Sequence, residues 1–140
     1  MTEETNEPTL ITSHHDGFGL NEAIRIEASD PDVNGVPHRF TFMREILRDE
    51  VEDESKVGLY DLVGFIQFQK GPRHSSGSTR GVTTDAPLAI LIHILKGFQG
   101  GTFNSREGAL MLTKLEEAAM WSKARAKDRA ARGVLGYNRR

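Results

Sequence analysis

Apolar positions along this 140-residue chain repeat with two different periods. In residues 23–28 (AIRIEA) and 37–43 (PHRFTFM) apolar and polar residues alternate, which puts Phe40 and Phe42 on one face of a strand. Between them lies Asp30-Pro-Asp-Val-Asn34-Gly35, a turn cluster with an Asn-Gly pair. The pattern predicts a β-hairpin over residues 24–43. A charged connection follows (REILRDEVEDESK), read as a loop or a short helical turn. Residues 59–69 (LYDLVGFIQFQ) then return to apolar and aromatic character as a third strand.

Past residue 84 the period becomes helical. Thr84 or Asp85 offers an N-cap, Pro87 fits a first turn, and Leu88, Leu91, Ile92 and Leu95 recur at helical spacing. Ala89, Ile90 and Ile94 make the other side apolar too. A helix apolar nearly all round is buried on both sides, so a homodimer is expected. His93 in that helix reads as a structurally satisfied histidine. Gly97, Gly100 and Gly101 end the helix, and Asn104-Ser-Arg-Glu107 reads as a capping box, with the Asn104 side chain on the Glu107 amide. A second helix is predicted over residues 105–132, about 42 Å long at 1.5 Å per residue. Leu112, Leu115 and Ala119 form its inner face, and Gly133 stops it. The fold class is α+β: a small antiparallel sheet of about three strands followed by a two-helix hairpin. Residues 1–18 read as a disordered acidic tail. Residues 19–140 read as one domain, with a β part over 19–72 and the hairpin over 85–133.

Composition narrows the chemistry. There are no cysteines, which excludes disulfides and thiolate–metal sites and suits a reducing cytoplasm. The longest apolar run, residues 88–95, is too short to cross a bilayer, and no signal peptide is read at the N-terminus. The net charge of −2 conceals an asymmetry: residues 1–60 carry 5 Lys/Arg against 14 Asp/Glu, and residues 61–140 carry 13 against 6. The basic half is therefore the one to ask about anions, although the two halves could also simply attract each other in an oligomer.

Within it, Trp121, Arg125, Arg129 and Arg132 fall at intervals of four, four and three, sharing one helical stripe with Asp128 beside it. Guanidinium groups bind phosphate oxygens bidentately, and Trp121 and Phe98 offer stacking faces to a base. Trp121 serves equally as core. The Gly/Ser-rich segment 71–81 holds Arg73 and Arg80 and reads equally as a plain surface loop or a ligand-touching one. No Walker loop, GxSxG or dinucleotide fingerprint is present. His14 and His15 lack further ligands, His38 and His74 are isolated, and Glu116 and Glu117 point different ways on a helix. No cofactor, metal site or catalytic set is expected, and binding is the better class.

The run LAILIHILKGFQGGTFNSREGALMLTKLEEAAMWSKARAKDRAARGVLG resembles the helical hairpin of phage-encoded sponge proteins, the anti-Thoeris (Tad) and anti-CBASS (Acb) families. IQFQKGP followed by GVTTDAPLAIL is similar to the strand and helix start of the Tad type. The resemblance covers about residues 63–136. It implies a non-enzymatic protein of the infected host's cytoplasm that assembles from homodimers into a hexamer, a trimer of dimers. Such a protein sequesters cyclic ADP-ribose derivatives, and some members also hold cyclic di- or trinucleotides. It further implies that Phe98 stacks on a base and that Arg125 and Arg129 contact phosphate or ribose. The full candidate set is Phe98, Gln99, Arg106, Arg125, Arg129 and Arg132, with Gln67 and Arg73 upstream. Two departures bear on ligand identity: Gly108 stands where the family usually has asparagine, and Gln67-Phe68-Gln69 where it often has Glu-Phe-Gln. Competing readings are a nucleic-acid-binding accessory protein acting through the basic second helix, and an oligomeric interaction protein without a small ligand. A membrane partner is not expected, and nucleic acid is disfavoured by the acidic N-terminal half.

Overall fold

The computed structural model describes residues 7–73 and 75–133. Part of the expected tail, residues 1–6, and His74 lie outside the described residues. The chain divides into two compact units, residues 1–70 and 71–140.

The first unit is a four-stranded antiparallel meander, β1 (Thr9–Ile11), β2 (Ile24–Pro31), β3 (Pro37–Glu45) and β4 (Tyr60–Gln67), in sequential order. This is one strand more than the alternation predicts. β1 lies inside the segment read as a disordered tail, where it pairs Thr9 with Ala28 and Ile11 with Ile26. Three residues between polar flanks are too few for alternation to register, and the pairing comes from the neighbouring strand. His14 also ties this segment down, its Nε2–H donating to the Ile24 carbonyl at 2.7 Å.

The β2–β3 hairpin forms where the alternation places it, with Ile26 opposite Phe42 and Ala28 opposite Phe40. Asp32 organises its turn by accepting from the backbone N–H groups of Asn34 (2.8 Å) and Val36 (3.0 Å). Gly35 follows at φ 79°, a conformation open to glycine at little cost. Ile26, Ala28, Phe40, Phe42 and Ile66 share one face by register. Phe40 packs edge-to-face on Phe68 at 5.6 Å. On the other face the Arg39 guanidinium lies 3.9 Å from the Phe65 ring centre, and Arg25 lies 5.9 Å from that of Tyr60. The charged connection after β3 forms two single 3-10 turns, Arg48–Glu50 and Glu54–Lys56, pinned by Arg44–Glu50 and Arg48–Glu54 ion pairs.

In the second unit, residues 75–78 close a small turn, Ser78 Oγ donating to the Ser75 carbonyl at 2.8 Å. Two helices follow, α1 (Asp85–Gln99) and α2 (Arg106–Ala131). The short link 100–105 reverses the chain, so they form an antiparallel hairpin. Leu88, Ile92, Leu95 and Gln99 are the partly covered positions of α1 between residues 88 and 99. On α2 they are Gly108, Leu112, Leu115, Ala119, Ser122, Ala126 and Arg129. Both series alternate steps of four and three, the spacing of helices packed side by side at a shallow angle.

Two local expectations are corrected. The N-cap of α2 is Ser105, not Asn104: its backbone is extended (φ −152°, ψ 159°) and its Oγ accepts from the Gly108 N–H at 2.9 Å. Gly97 lies within α1, and Gly100 closes that helix in a right-handed conformation, so the reversal uses no left-handed glycine. Within one chain neither helix has a buried residue, and His93 is exposed; the burial predicted for both sides of α1 is that of a homodimer.

Candidate functional site

The tip of the hairpin is built around Gln99. As the last residue of α1 it points across the reversal. Its Nε2 donates to the Ser105 carbonyl at 2.9 Å, and its Oε1 accepts from the Ser105 N–H at 3.0 Å. That oxygen occupies the space a side chain at position 108 would need, since a Cβ on Gly108 would lie 2.6 Å from it and 2.9 Å from Ser105 Oγ. Gly108 therefore makes room for the Gln99 clamp. Gln99 is a candidate ligand contact, and its carboxamide oxygen and nitrogen each make one hydrogen bond to the backbone of Ser105.

Beside the clamp, Phe98 is 50% exposed and Phe103 is 78% exposed. Their rings meet edge-to-face, with centres 6.4 Å apart and planes at 75°. Arg106, the first residue of α2, is exposed and has no ion-pair or hydrogen-bond partner among the described residues.

The cationic cluster lies at the opposite end. Arg125 is exposed and without a partner among the described residues, while Arg129 sits on the partly covered line. Arg132 is held by Asp128, whose Oδ2 accepts from its Nε at 3.0 Å, as the sequence anticipated for one arginine of the stripe. Trp121 is 70% exposed, so it is not core within this chain. Residues 105 and 125 are separated by about 30 Å along α2 at 1.5 Å per residue. One hairpin thus does not bring Phe98 together with Arg125 and Arg129. Spacing along a helix shows which residues share a stripe, but the chain reversal decides which end they occupy.

The two upstream candidates have different surroundings. Gln67 lies in the sheet, where its Nε2 donates to Asp30 Oδ2 (3.0 Å) and to the carbonyls of Phe68 (3.0 Å) and His38 (3.3 Å). Lys70 also pairs with Asp30, and these two donors, Lys70 first, hold the Asp30 carboxyl below its ordinary range. Asp30 adopts φ 57°, a left-handed conformation that its short polar side chain tolerates. Gln67 is therefore engaged in bracing a strained strand end. Arg73 is exposed in the loop after the sheet. Among the described residues no cluster of His, Asp or Glu suits a metal ion, and no helix is long and apolar enough to cross a membrane.

Sequence reasoning missed Phe103. Its signal was available, as a second phenylalanine beside the glycines of the reversal.

Comparison with known proteins agrees with the resemblance read in the hairpin. Residues 61–127 match the family model of the Acb2/Tad1 hairpin domain. Thoeris anti-defense 1 of Bacillus phage SBSphiJ7 is 40% identical over 87 residues, an alignment spanning 60% of this chain and 61% of that protein's length.

Proposed function

We propose that this chain, whose residues 61–127 match the Acb2/Tad1 hairpin domain, binds and sequesters a cyclic nucleotide immune signal without degrading it. The ligand class is a cyclic ADP-ribose isomer or a cyclic di- or trinucleotide, and the effect is to block a Thoeris- or CBASS-type bacterial defence in the host cytoplasm. The relative's name supports the Thoeris side of this reading.

The observation that carries the proposal is the hairpin's two exposed ligand-competent ends. Phe98 offers a stacking face at the tip, and Arg125 offers an unengaged guanidinium at the far end of α2. A base stacks on an aromatic ring with about 1–3 kcal/mol, and an arginine binds phosphate or ribose oxygens through several N–H groups. Because about 30 Å separates the two ends within one chain, a single ligand touches both only where a second copy brings its cationic end to the first copy's tip. Ile90, Ile94 and Leu91, 59%, 47% and 47% exposed on α1, supply an apolar surface for that second copy. In this reading the homodimer is the unit that binds, and a hexamer is its further assembly. Gln67, Arg73, Gln99, Arg106, Arg129 and Arg132 are the remaining candidate contacts. No cofactor or metal takes part.

Calorimetry of the full chain against cyclic ADP-ribose isomers and cyclic di- and trinucleotides tests the proposal. Submicromolar binding of at least one, with the intact ligand recovered after heat denaturation, is expected. Binding of none tighter than about 10 μM overturns it, since so weak an affinity leaves a scarce signal free. Binding of DNA that falls steeply with salt, in place of a cyclic ligand, would favour a nucleic-acid accessory role.

A further inference from the structure

We propose that Phe103 forms, with Phe98, a two-ring corner that grips a purine base, and that the Gln99–Ser105 clamp over Gly108 is the device that holds this corner open. The inference rests on the cyclic nucleotide reading above and assigns the base-recognition end of that site.

The corner follows from the ring geometry. Phe98 and Phe103 stand at 75°, and both keep half or more of their surface exposed. A planar base that lies parallel to Phe98 and touches Phe103 would do so at the same steep angle, edge-to-face. Aromatic rings prefer these two arrangements, offset-stacked and T-shaped. A purine's two fused rings span farther than a pyrimidine's one, so a purine is the base expected to reach both phenyl groups.

The clamp follows from the hydrogen bonds. Phe103 sits in the link 100–105, which has Gly100 and Gly101 at one end and therefore little stiffness of its own. Gln99 fixes the other end by engaging both backbone groups of Ser105, two residues beyond Phe103. The clamp requires position 108 to lack a side chain. Gln99 and Gly108 are thus positioning residues that act through Phe103.

The test is calorimetry of the full chain and its variants against cyclic di-adenosine and cyclic di-uridine monophosphate and cyclic ADP-ribose. Phe103→Ala and Phe103→Leu are each expected to weaken the adenine ligands by about tenfold, the scale of one lost aromatic stacking partner. Phe103→Tyr should restore binding. Phe103→Leu keeps apolar bulk, so its loss of affinity separates ring contact from packing. Gln99→Ala should narrow the preference for adenine over uracil ligands without changing helix content by circular dichroism. Adenine affinity unchanged in both Phe103→Ala and Phe103→Leu, with wild type binding, overturns the inference alone. Wild-type protein that binds neither these three ligands nor any other cyclic ADP-ribose isomer or cyclic di- or trinucleotide of the panel above overturns the functional reading and this inference with it.

Discussion

Gln99 and Ser105 are joined by two reciprocal hydrogen bonds, 2.9 and 3.0 Å long, that span the reversal between α1 and α2. The Gln99 carboxamide mimics a backbone peptide unit there, pairing with Ser105 as a neighbouring strand would. This pairing and the Ser105 cap on Gly108 share the small space above the Gly108 Cα.

Gly108→Ala should therefore cost stability despite alanine's higher helix propensity. The new methyl displaces Gln99 Oε1 and crowds Ser105 Oγ, removing one hydrogen bond and one cap of about 1 kcal/mol each, against about 1 kcal/mol gained from propensity. The expected net loss is about 1 kcal/mol by chemical denaturation. In a Gln99→Ala background the same substitution should be neutral or stabilising. Additive effects in that double-mutant cycle would refute the shared-space account.

Acid should weaken the sheet through Asp30. Lys70, and after it Gln67, hold its carboxyl below the ordinary value of 3.8 in the folded state. A depressed folded-state value means that this contribution is fully present above the unfolded value and lost as pH falls through the folded one. Asp30→Asn keeps a residue that tolerates φ 57° and removes the charge. The variant should be less stable than wild type at pH 7, with the difference closing toward pH 2. Melting curves across that range check it, and a constant difference would argue against the pairing.

Ile94→Asp should break self-association. The side chain is 47% exposed within one chain, on the face shared with Ile90. Burying such a residue in a dimer contributes about 1.5–3 kcal/mol, so its replacement by a charge should raise the dissociation constant by at least about tenfold. Light scattering over a dilution series measures this, and circular dichroism should show the helices intact.

The two arginines at the ends of the stripe should behave differently. Arg125 has no partner among the described residues, whereas Arg132 already pairs with Asp128. Arg125→Ala should weaken the cyclic ligand by about 10- to 100-fold, the scale of a hydrogen-bonded charge. Arg132→Ala should have the smaller effect, and the opposite ranking by calorimetry would move the phosphate contact to the end of the helix.

Much of the architecture was legible in the residues because apolar periodicity reports directly on which face is covered. The β2–β3 hairpin and both helices follow from it. The cap of α2 was read one residue early because Asn104 and Ser105 are both good caps, and the choice falls to Ser105 through Gln99, a contact across the reversal. β1 was hidden because three residues hold less than two periods of alternation. The candidate site was legible only as a set of residue types. Phe98 and the arginines could be named from sequence, but their separation is a property of the hairpin's topology. Gln67 and Gln99 can likewise be named from sequence, but their hydrogen bonds to Asp30 and to Ser105 join positions that no local spacing connects.

The unequal lengths of the helices have a further consequence. α2 continues roughly 16 Å beyond the span of α1, at 1.5 Å per residue over its extra residues, and the arginines lie on that extension. On the proposed cyclic nucleotide reading, the tip can therefore accumulate substitutions that change which base it favours while the cationic extension keeps its hold on sugar and phosphate. A phage lineage facing a host that alters its signal would need to revise one end of one hairpin, a short mutational route to a new specificity.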